Sequence, residues 1–192
     1  SDTTSLLLSK FCNASGGAIH GPMLIGLSEE PKWSIERLKS ILFGLPISDL
    51  KGNVMKKGFA EGKLIIGNLT VFTHLIGTKH MPNVEKSILI FEDINEPPYK
   101  IDRMLTQWRL CGLFENISGI CFGSFKGCHD HEETSNVQTT LNDVIHSNIK
   151  DLNIPILTDL PIGHINGNAS IPIGYIAQIN GKTGSLKIIS PN

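Results

Sequence analysis

Short apolar runs, each followed by polar or turn-forming residues, recur along the chain, and the clearest run covers residues 88–91. It reads Ile-Leu-Ile-Phe and is closed by the acidic pair Glu92-Asp93. An apolar run of this length that ends in turn formers is typical of a buried strand. Pro98 then suits the first turn of a helix, whose apolar residues are Ile101, Leu105, Trp108 and Leu110. The pattern therefore predicts Glu92 and Asp93 at a strand-to-helix junction, the edge of an α/β sheet where sites are built.

Further strands and helices alternate along the rest of the chain. The predicted strands span residues 63–66, 117–122 and 154–157, and a closing hairpin spans 171–189. The predicted helices span residues 1–10, 34–43, 67–76 and 137–149. Asn180-Gly181 is the expected hairpin turn, and Ser34 is the expected cap of the second helix. The packed face of that helix is predicted to hold Ile35, Leu38, Ile41 and Leu42.

A polar, lysine-rich stretch punctuated by glycine separates the first two helices from the strands that follow. It covers residues 45–62 and is typical of a linker or a hairpin. We place a domain boundary within it, which divides the chain into residues 1–49 and 50–192. Alternation of strands with helices then predicts the α/β class.

Composition limits the classes of partner. The chain has 192 residues, of which 40% are hydrophobic and 18% are charged, and this suits one globular unit or two small ones. A formal net charge of -1 does not favour binding to nucleic acid or to an acidic membrane surface. The apolar runs are far too short to span a bilayer, and no signal peptide is expected at the start.

The cysteines do not form paired spacings, so a disulfide framework is not expected and a reducing compartment is favoured. Their apolar neighbours predict burial of three of them: Cys12, Cys111 and Cys121. The fourth lies in the sequence Cys128-His129-Asp130-His131, which offers metal-binding side chains. Zinc sites usually take their ligands from two separated pairs, so a solvated loop without metal is expected here.

Six short motifs occur from the first residue of the chain to near its end. They are Ser1-Asp2-x-Thr4, His20-Gly21-Pro22-Met23, Gly67-Asn68-Leu69-Thr70, Phe91-Glu92-Asp93-Ile94-Asn95-Glu96, Tyr99-x-Ile101-Asp102-Arg103-Met104-Leu105 and Gly163-His164. Together, and in this order, they resemble the LD-carboxypeptidases, the serine peptidases of murein recycling.

The resemblance implies the end of a flavodoxin-like N-terminal domain, followed by a swivelling C-terminal β/α domain with its own sheet. It assigns residues 1–49 to the first domain and 50–192 to the second. The Gly-Tyr pair that precedes the family's serine has no counterpart before Ser1. We therefore expect the chain to be the C-terminal part of a longer enzyme and to have little activity alone.

The resemblance also implies a catalytic triad of Ser1 as nucleophile, His164 as general base and Glu92 as the carboxylate that orients the histidine. A serine hydroxyl needs such a base, and a carboxylate on the other ring nitrogen fixes the tautomer. Each residue alone also has a structural interpretation, as a helix cap, a buried histidine or a turn carboxylate. Glu92 and His164 are expected within roughly 4 Å of each other. Three nearby residues are expected to be structural: Asp93, Glu96 and Arg103.

Several functions remain open at this point. The leading one is release of terminal D-alanine from a murein tetrapeptide by a cytoplasmic, homodimeric enzyme that needs no cofactor, as the resemblance implies. A microcin-immunity peptidase would use the same triad on an aminoacyl-nucleotide amide. Ser1 could instead use its own α-amine as base, although enzymes of that type begin on a strand and Ser1 precedes a predicted helix. A non-catalytic remnant that binds peptide or only dimerises is the remaining alternative.

Overall fold

An eight-stranded mixed sheet forms the centre of the molecule, and a two-stranded antiparallel sheet lies beside it. The computed structural model describes residues 2–13, 17–129 and 140–189. Its strands are β1 (Ala18–His20), β2 (Leu50–Lys51), β3 (Asn53–Lys56), β4 (Phe59–Asn68), β5 (Ser87–Ile94), β6 (Gly119–Lys126), β7 (Ile156–Thr158), β8 (Ile171–Ile173), β9 (Ile176–Asn180) and β10 (Ser185–Ile189). The large sheet has the order β2-β10-β9-β4-β5-β6-β7-β3, and β1 pairs with β8 in the small one. The predicted α/β class is confirmed.

The middle of the large sheet is parallel: β4 pairs with β5, β5 with β6, and β6 with β7. Every residue of β5 from Ser87 to Asp93 is buried, as expected for a strand covered on both faces. This burial explains why its sequence is a continuous apolar run rather than an alternating one. Because these strands run in the same direction, their carboxyl ends meet at one edge of the sheet.

Five helices and a short 3-10 helix lie within the described ranges. The helices are α1 (Thr3–Asn13), α2 (Lys32–Leu42), α3 (Leu69–His74), α4 (Pro98–Leu110) and α5 (Leu141–Ile149), and the 3-10 helix is Leu24–Glu29. None of these helices is both long and apolar enough to cross a membrane. The N-terminal part of the last predicted helix, before Thr140, lies outside the described residues.

Helix α4 packs an aromatic side chain against the strand that carries Glu92. The ring of Trp108 lies edge-on to Phe91 and Phe72, with centroid distances of 4.9 and 4.8 Å. Its indole N–H donates to Thr73 at 2.9 Å, so the buried nitrogen is satisfied. Leu110 was predicted on the same face but is 83% exposed. Residues two positions apart do not share a helix face, which explains the error.

Helix α2 differs from its prediction in both its cap and its packed face. Pro31 is the N-cap, and Ser34 lies inside the helix. The buried side chains are Ser34 and Arg37, whereas Leu42 is 61% exposed. Both buried groups donate hydrogen bonds to backbone carbonyl groups of the segment that follows His164. The buried face of α2 is therefore polar, which a search for apolar periodicity does not detect.

The predicted linker at residues 45–62 contributes strands to the large sheet. It contains β2 and β3, which lie at opposite edges of that sheet, and the start of β4. The N-terminal segment also contacts the rest of the chain, since β1 pairs with β8. The domain boundary at residues 49 and 50 stays a prediction.

Two smaller expectations were partly wrong. Cys121 is buried as predicted, but Cys12 and Cys111 are exposed because they lie in the last turn of α1 and just after α4. Cys128 is buried instead. The predicted hairpin consists of β9 and β10 only, with a turn that follows Asn180, while β8 pairs elsewhere.

Candidate active site

Glu92 lies near the carboxyl end of the central strand β5, where the sheet is irregular. The pairing of β5 with β6 shifts between Phe91 and Asp93, so that β6 has one extra residue opposite Glu92. Such bulges change the direction of a side chain and occur often beside active sites. The Glu92 side chain is fully buried. The structure therefore places a carboxylate inside the carboxyl edge of the sheet.

His164 reaches the same edge from the segment after β7. That segment continues along β6, with Leu160 N–H donating to the Phe122 carbonyl at 3.1 Å and Ser124 N–H donating to the Ile162 carbonyl at 2.7 Å. His164 Nδ1 lies 2.8 Å from Glu92 Oε2, although the two residues are 72 positions apart in the chain. This distance agrees with the prediction that the two side chains converge.

The backbone conformation and the crowding at position 163 require a glycine immediately before His164. The φ of Gly163 is +119°, a conformation that other residues rarely adopt. A Cβ at this position would lie 3.0 Å from both Cβ and Oε2 of Glu92. The Gly-His sequence thus allows the histidine loop to approach the carboxylate closely.

We expect Gly163→Ala to displace His164 from Glu92, and if His164 is a catalytic base, a misplacement of about 1 Å would lower enzymatic turnover by on the order of a hundredfold. Gly77→Ala is the matched control, because Gly77 also has a positive φ of 82° but has open space around it. Steady-state kinetics on the two variants would check the expectation. Equal losses in both would assign the effect to backbone strain alone.

Asp93 faces a different set of groups and holds the neighbouring strand end. Its carboxylate accepts hydrogen bonds from Asn68 Nδ2 at 2.8 Å, from the Thr70 N–H at 2.9 Å and from the Thr70 hydroxyl at 2.8 Å. Asn68 in turn caps α3 by accepting from the Val71 N–H. Asp93 therefore joins β4 and α3 to the end of β5. These contacts agree with its predicted structural role.

Glu96 and Arg103 interact with neighbours on their own segment. Glu96 lies 3.0 Å from the Lys100 ammonium group, and the Arg103 guanidinium lies 5.0 Å from the centre of the Tyr99 ring. These contacts agree with the predicted structural roles of both residues.

The start of α1 contacts the strand next to Glu92. Thr4 is buried, and its hydroxyl accepts a hydrogen bond from the Asn68 N–H at 3.0 Å. Asn68 is in register with Glu92 between β4 and β5. Thr4 follows Ser1 by three positions in the sequence. Ser1 itself lies outside the described residues.

Burial raises the pKa of Glu92, while the charge of His164 and its hydrogen bond act in the opposite direction. The second carboxylate oxygen, Oε1, is enclosed and has no hydrogen-bond partner among the described residues. Burial disfavours the ionised form of a carboxyl group, and here it outweighs the opposing effect of His164, so ionisation of Glu92 makes the folded state less stable.

This cost predicts a pH dependence of stability. As pH rises above the ordinary pKa of 4.5, the unfolded chain loses its Glu92 proton before the folded protein does, so the free energy of unfolding falls. Glu92→Gln removes this ionisation, so the free energy of unfolding of the variant relative to that of wild type should rise as the pH increases above about 4.5. Urea unfolding over a series of pH values upward from about 4 would measure the difference. Glu85→Gln, at an exposed carboxylate, is the control, and a pH-independent difference for Glu92→Gln would contradict the prediction.

A second histidine, His20, interacts electrostatically with His164, although the sequence analysis assigned it no role beyond membership of a motif. Burial lowers the pKa of His20 to about 4, and the charge of His164 acts in the same direction. Its Nδ1 is enclosed without a hydrogen-bond partner among the described residues. His20 is therefore neutral near pH 7.

No group of side chains suited to a metal ion occurs within residues 2–13, 17–129 and 140–189. Cys128 was expected in a solvated loop but is buried. Burial raises the pKa of its thiol to about 11. Asp130 and His131, which completed the metal-binding sequence considered above, lie outside the described residues.

A groove of about 480 Å³ lies at the carboxyl ends of β6 and β7, and Ile165, the residue after His164, forms part of its wall. Its walls combine aromatic and apolar side chains with polar ones. They include Phe122, Ser124, Phe125, Asn142, Asp159 and Ile165. A surface of this mixed character suits a peptide, whose backbone needs hydrogen bonds and whose side chains are partly apolar.

Comparison with known sequences gives a family match. A family model described as the LD-carboxypeptidase C-terminal domain matches residues 61–179. A putative carboxypeptidase of Synechocystis is 42% identical over 98% of this chain and 62% of its own length. A murein tetrapeptide carboxypeptidase of Pseudomonas aeruginosa is 34% identical over 92% of this chain and 60% of its own length. The chain thus spans about 60% of the length of these relatives.

Solved structures give the same fold. A muramoyltetrapeptide carboxypeptidase from Oxalobacter formigenes superposes with a TM-score of 0.85 at 26% identity, over 98% of this chain and 66% of that one. The microcin C7 self-immunity protein MccF superposes with a TM-score of 0.84 at 20% identity, over 100% of this chain and 66% of that one. The second likeness concerns the fold alone.

Proposed function

Since the chain belongs to the LD-carboxypeptidase family, we propose that it carries two members of the catalytic triad of a serine carboxypeptidase, with His164 as general base and Glu92 as the carboxylate that orients it. The observation that supports the proposal most strongly is the 2.8 Å contact between His164 Nδ1 and Glu92 Oε2 at the carboxyl edge of the sheet. We assign the nucleophile to Ser1 from the sequence motif. Thr4, in the same motif, packs against the strand next to Glu92 and is consistent with that assignment.

In the proposed mechanism, Glu92 accepts a hydrogen bond from Nδ1–H of His164, which leaves Nε2 as the base. Nε2 removes the proton of the Ser1 hydroxyl as its oxygen attacks the scissile carbonyl carbon. The same nitrogen then gives that proton to the leaving amino group, and an acyl-enzyme forms. Attack by a water molecule, whose proton also passes to Nε2, releases the shortened peptide and restores Ser1.

The proposed substrate is a murein tetrapeptide, from which the enzyme releases terminal D-alanine. The name of the Pseudomonas aeruginosa relative and that of a probable murein peptide carboxypeptidase of Bacillus subtilis, 31% identical over 94% of this chain, support this choice. The microcin-immunity alternative has only a likeness of fold in its favour. We further propose a cytoplasmic homodimer, as the family resemblance implies.

An assay with two substrates tests the proposed function. The protein encoded by the full reading frame is incubated separately with a murein tetrapeptide and with an aminoacyl-sulfamoyl adenosine. We expect release of D-alanine from the first substrate and little hydrolysis of the second. The opposite preference would support the microcin-immunity alternative, and hydrolysis of neither would contradict the proposed peptidase activity.

We also propose that this chain is the C-terminal part of its enzyme, which agrees with its span of about 60% of its relatives. In this proposal the segment before Ser1 supplies the strand that fixes the serine and a donor to the oxyanion, and loss of one such donor costs about 2.7–4 kcal/mol. The isolated chain should therefore fold but turn over little tetrapeptide. Parallel assays of this chain and the full reading frame, with circular dichroism of both, would check this. Comparable turnover by the two would contradict it.

A further inference from the structure

The loop that carries His164 is held from outside by a segment more than a hundred positions earlier in the chain. Glu30 is the main contact: its Oε2 accepts hydrogen bonds from the Gly167 N–H at 3.0 Å and from the Asn168 N–H at 3.2 Å. The carbonyl group of Glu29 accepts a further hydrogen bond from Asn166 Nδ2 at 3.0 Å. We call residues 29–37 the clamp segment.

Asn168 connects this clamp segment to the catalytic histidine. Its side-chain Oδ1 accepts a hydrogen bond from the Gly163 N–H at 3.0 Å, immediately before His164. Its carbonyl group accepts from the Ser34 hydroxyl at 2.8 Å. Asn168 is only 7% exposed and Ser34 is fully buried, so water does not compete strongly for these bonds. The chain of contacts therefore runs from Glu30 through Asn168 to Gly163 and His164.

The polar face of α2 completes the clamp segment. Arg37 Nε donates to the Ser170 carbonyl at 2.9 Å, and Arg37 Nη1 donates to the Ser48 carbonyl at 2.6 Å. The ring of Trp33 lies so close to Gly167 that a Cβ there would be 2.9 Å from it. These contacts account for a buried serine and a buried arginine on a helix that was expected to bury leucine and isoleucine.

The free-energy cost of ordering the His164 loop favours a positioning role for Glu30 and Asn168. Fixing the backbone of one loop residue costs roughly 1–2 kcal/mol, and residues 163–168 form no regular helix or strand to offset that cost. Hydrogen bonds from backbone N–H groups to a carboxylate are among the stronger ones available to a protein. Glu30 provides two of these to the loop, and Asn168 passes the restraint to the residue beside the histidine.

We propose that Glu30 and Asn168 are positioning residues for His164, and that they hold its imidazole against Glu92 by fixing residues 163–168. Their importance for catalysis rests on the function proposed above. The clamp segment lies in residues 1–49, which also contain Ser1. If Ser1 is the nucleophile, the clamp segment therefore connects the base of the triad to the part of the chain that provides the nucleophile.

The experiment follows the His164–Glu92 hydrogen bond itself, by NMR on this chain. A proton between a histidine Nδ1 and a carboxylate gives a low-field signal, which Glu92→Gln and His164→Gln identify. We compare Glu30→Ala and Asn168→Ala with the conservative Glu30→Gln. The matched control is Glu29→Ala, which removes the same charge from an exposed neighbour but keeps the carbonyl group that contacts Asn166.

We expect the signal to persist in Glu29→Ala and to exchange with water at least about tenfold faster in Glu30→Ala and Asn168→Ala, as loss of a hydrogen bond to a charged group would cause. Glu30→Gln keeps an acceptor oxygen, so its exchange rate should lie between that of Glu29→Ala and those of Glu30→Ala and Asn168→Ala. If Glu30→Ala or Asn168→Ala fails to fold, Glu30→Gln against Glu29→Ala decides. An unchanged exchange rate in Glu30→Gln and in every folded alanine variant would overturn the proposal. Because the readout is a hydrogen bond rather than hydrolysis, this result is independent of whether the proposed peptidase activity is found.

Discussion

Replacement of His164 by alanine is expected to lower turnover of the full reading-frame protein by on the order of 10⁴-fold or more. The serine hydroxyl then has no base, and Glu92 loses the partner that lies 2.8 Å from it. Binding of the peptide should change much less, because the groove walls remain. Measurement of kcat and KM for D-alanine release would separate the two effects.

His80→Ala is the control for this variant. His80 Nδ1 lies 2.8 Å from the Ser9 hydroxyl, so the control also breaks a serine–histidine contact, but one whose partner is not Glu92. We expect its turnover to stay near that of wild type. Equal losses of turnover in the two variants would contradict the assignment of His164 as the catalytic base.

Asp93→Ala is expected to lower the free energy of unfolding by several kcal/mol, since each buried donor left without its acceptor costs about 1–3 kcal/mol. The variant leaves the Asn68 amide and the Thr70 N–H without their acceptor at the junction of β4 and α3. Asn68 is in register with Glu92, so local disorder there would also weaken the candidate site. Urea denaturation would measure the loss.

Asp151→Ala provides the comparison for Asp93→Ala. Asp151 forms an exposed ion pair with Arg109 at 2.6 Å, and exposed pairs contribute about 0–1 kcal/mol. A loss at Asp93 no larger than the loss at Asp151 would mean that the buried network around Asp93 contributes little stability.

Local sequence patterns predicted the elements that frame the site. The apolar run before Glu92 predicted β5, and Pro98 with its spaced apolar residues predicted α4, because both elements are buried against the same core. The Glu92–His164 contact could not be derived from periodicity, since 72 positions separate the two residues. It was predicted only through the resemblance of short motifs to a known family.

The errors in the prediction of α2 share a physical cause, which is contact with distant backbone groups. Ser34 looked like a helix cap because serine often satisfies free N–H groups, but it donates to a carbonyl group 134 positions away. Arg37 is buried for the same reason. Glu30 carried no sequence signal at all, since a carboxylate before a helix resembles any other surface residue. Such contacts depend on how the chain folds back on itself, and a single sequence does not encode them in a local pattern.

The claim that Ser1 and His164 act as one catalytic unit, the centre of the proposed triad, is tested most directly by a double-mutant cycle on D-alanine release by the full reading-frame protein. The kcat values of Ser1→Ala, His164→Ala and the double variant are compared with that of wild type. Members of a triad act as a unit, so we predict that the double variant is no slower than the slower single variant. Multiplicative losses in the double variant, or substantial turnover by Ser1→Ala, would contradict the triad.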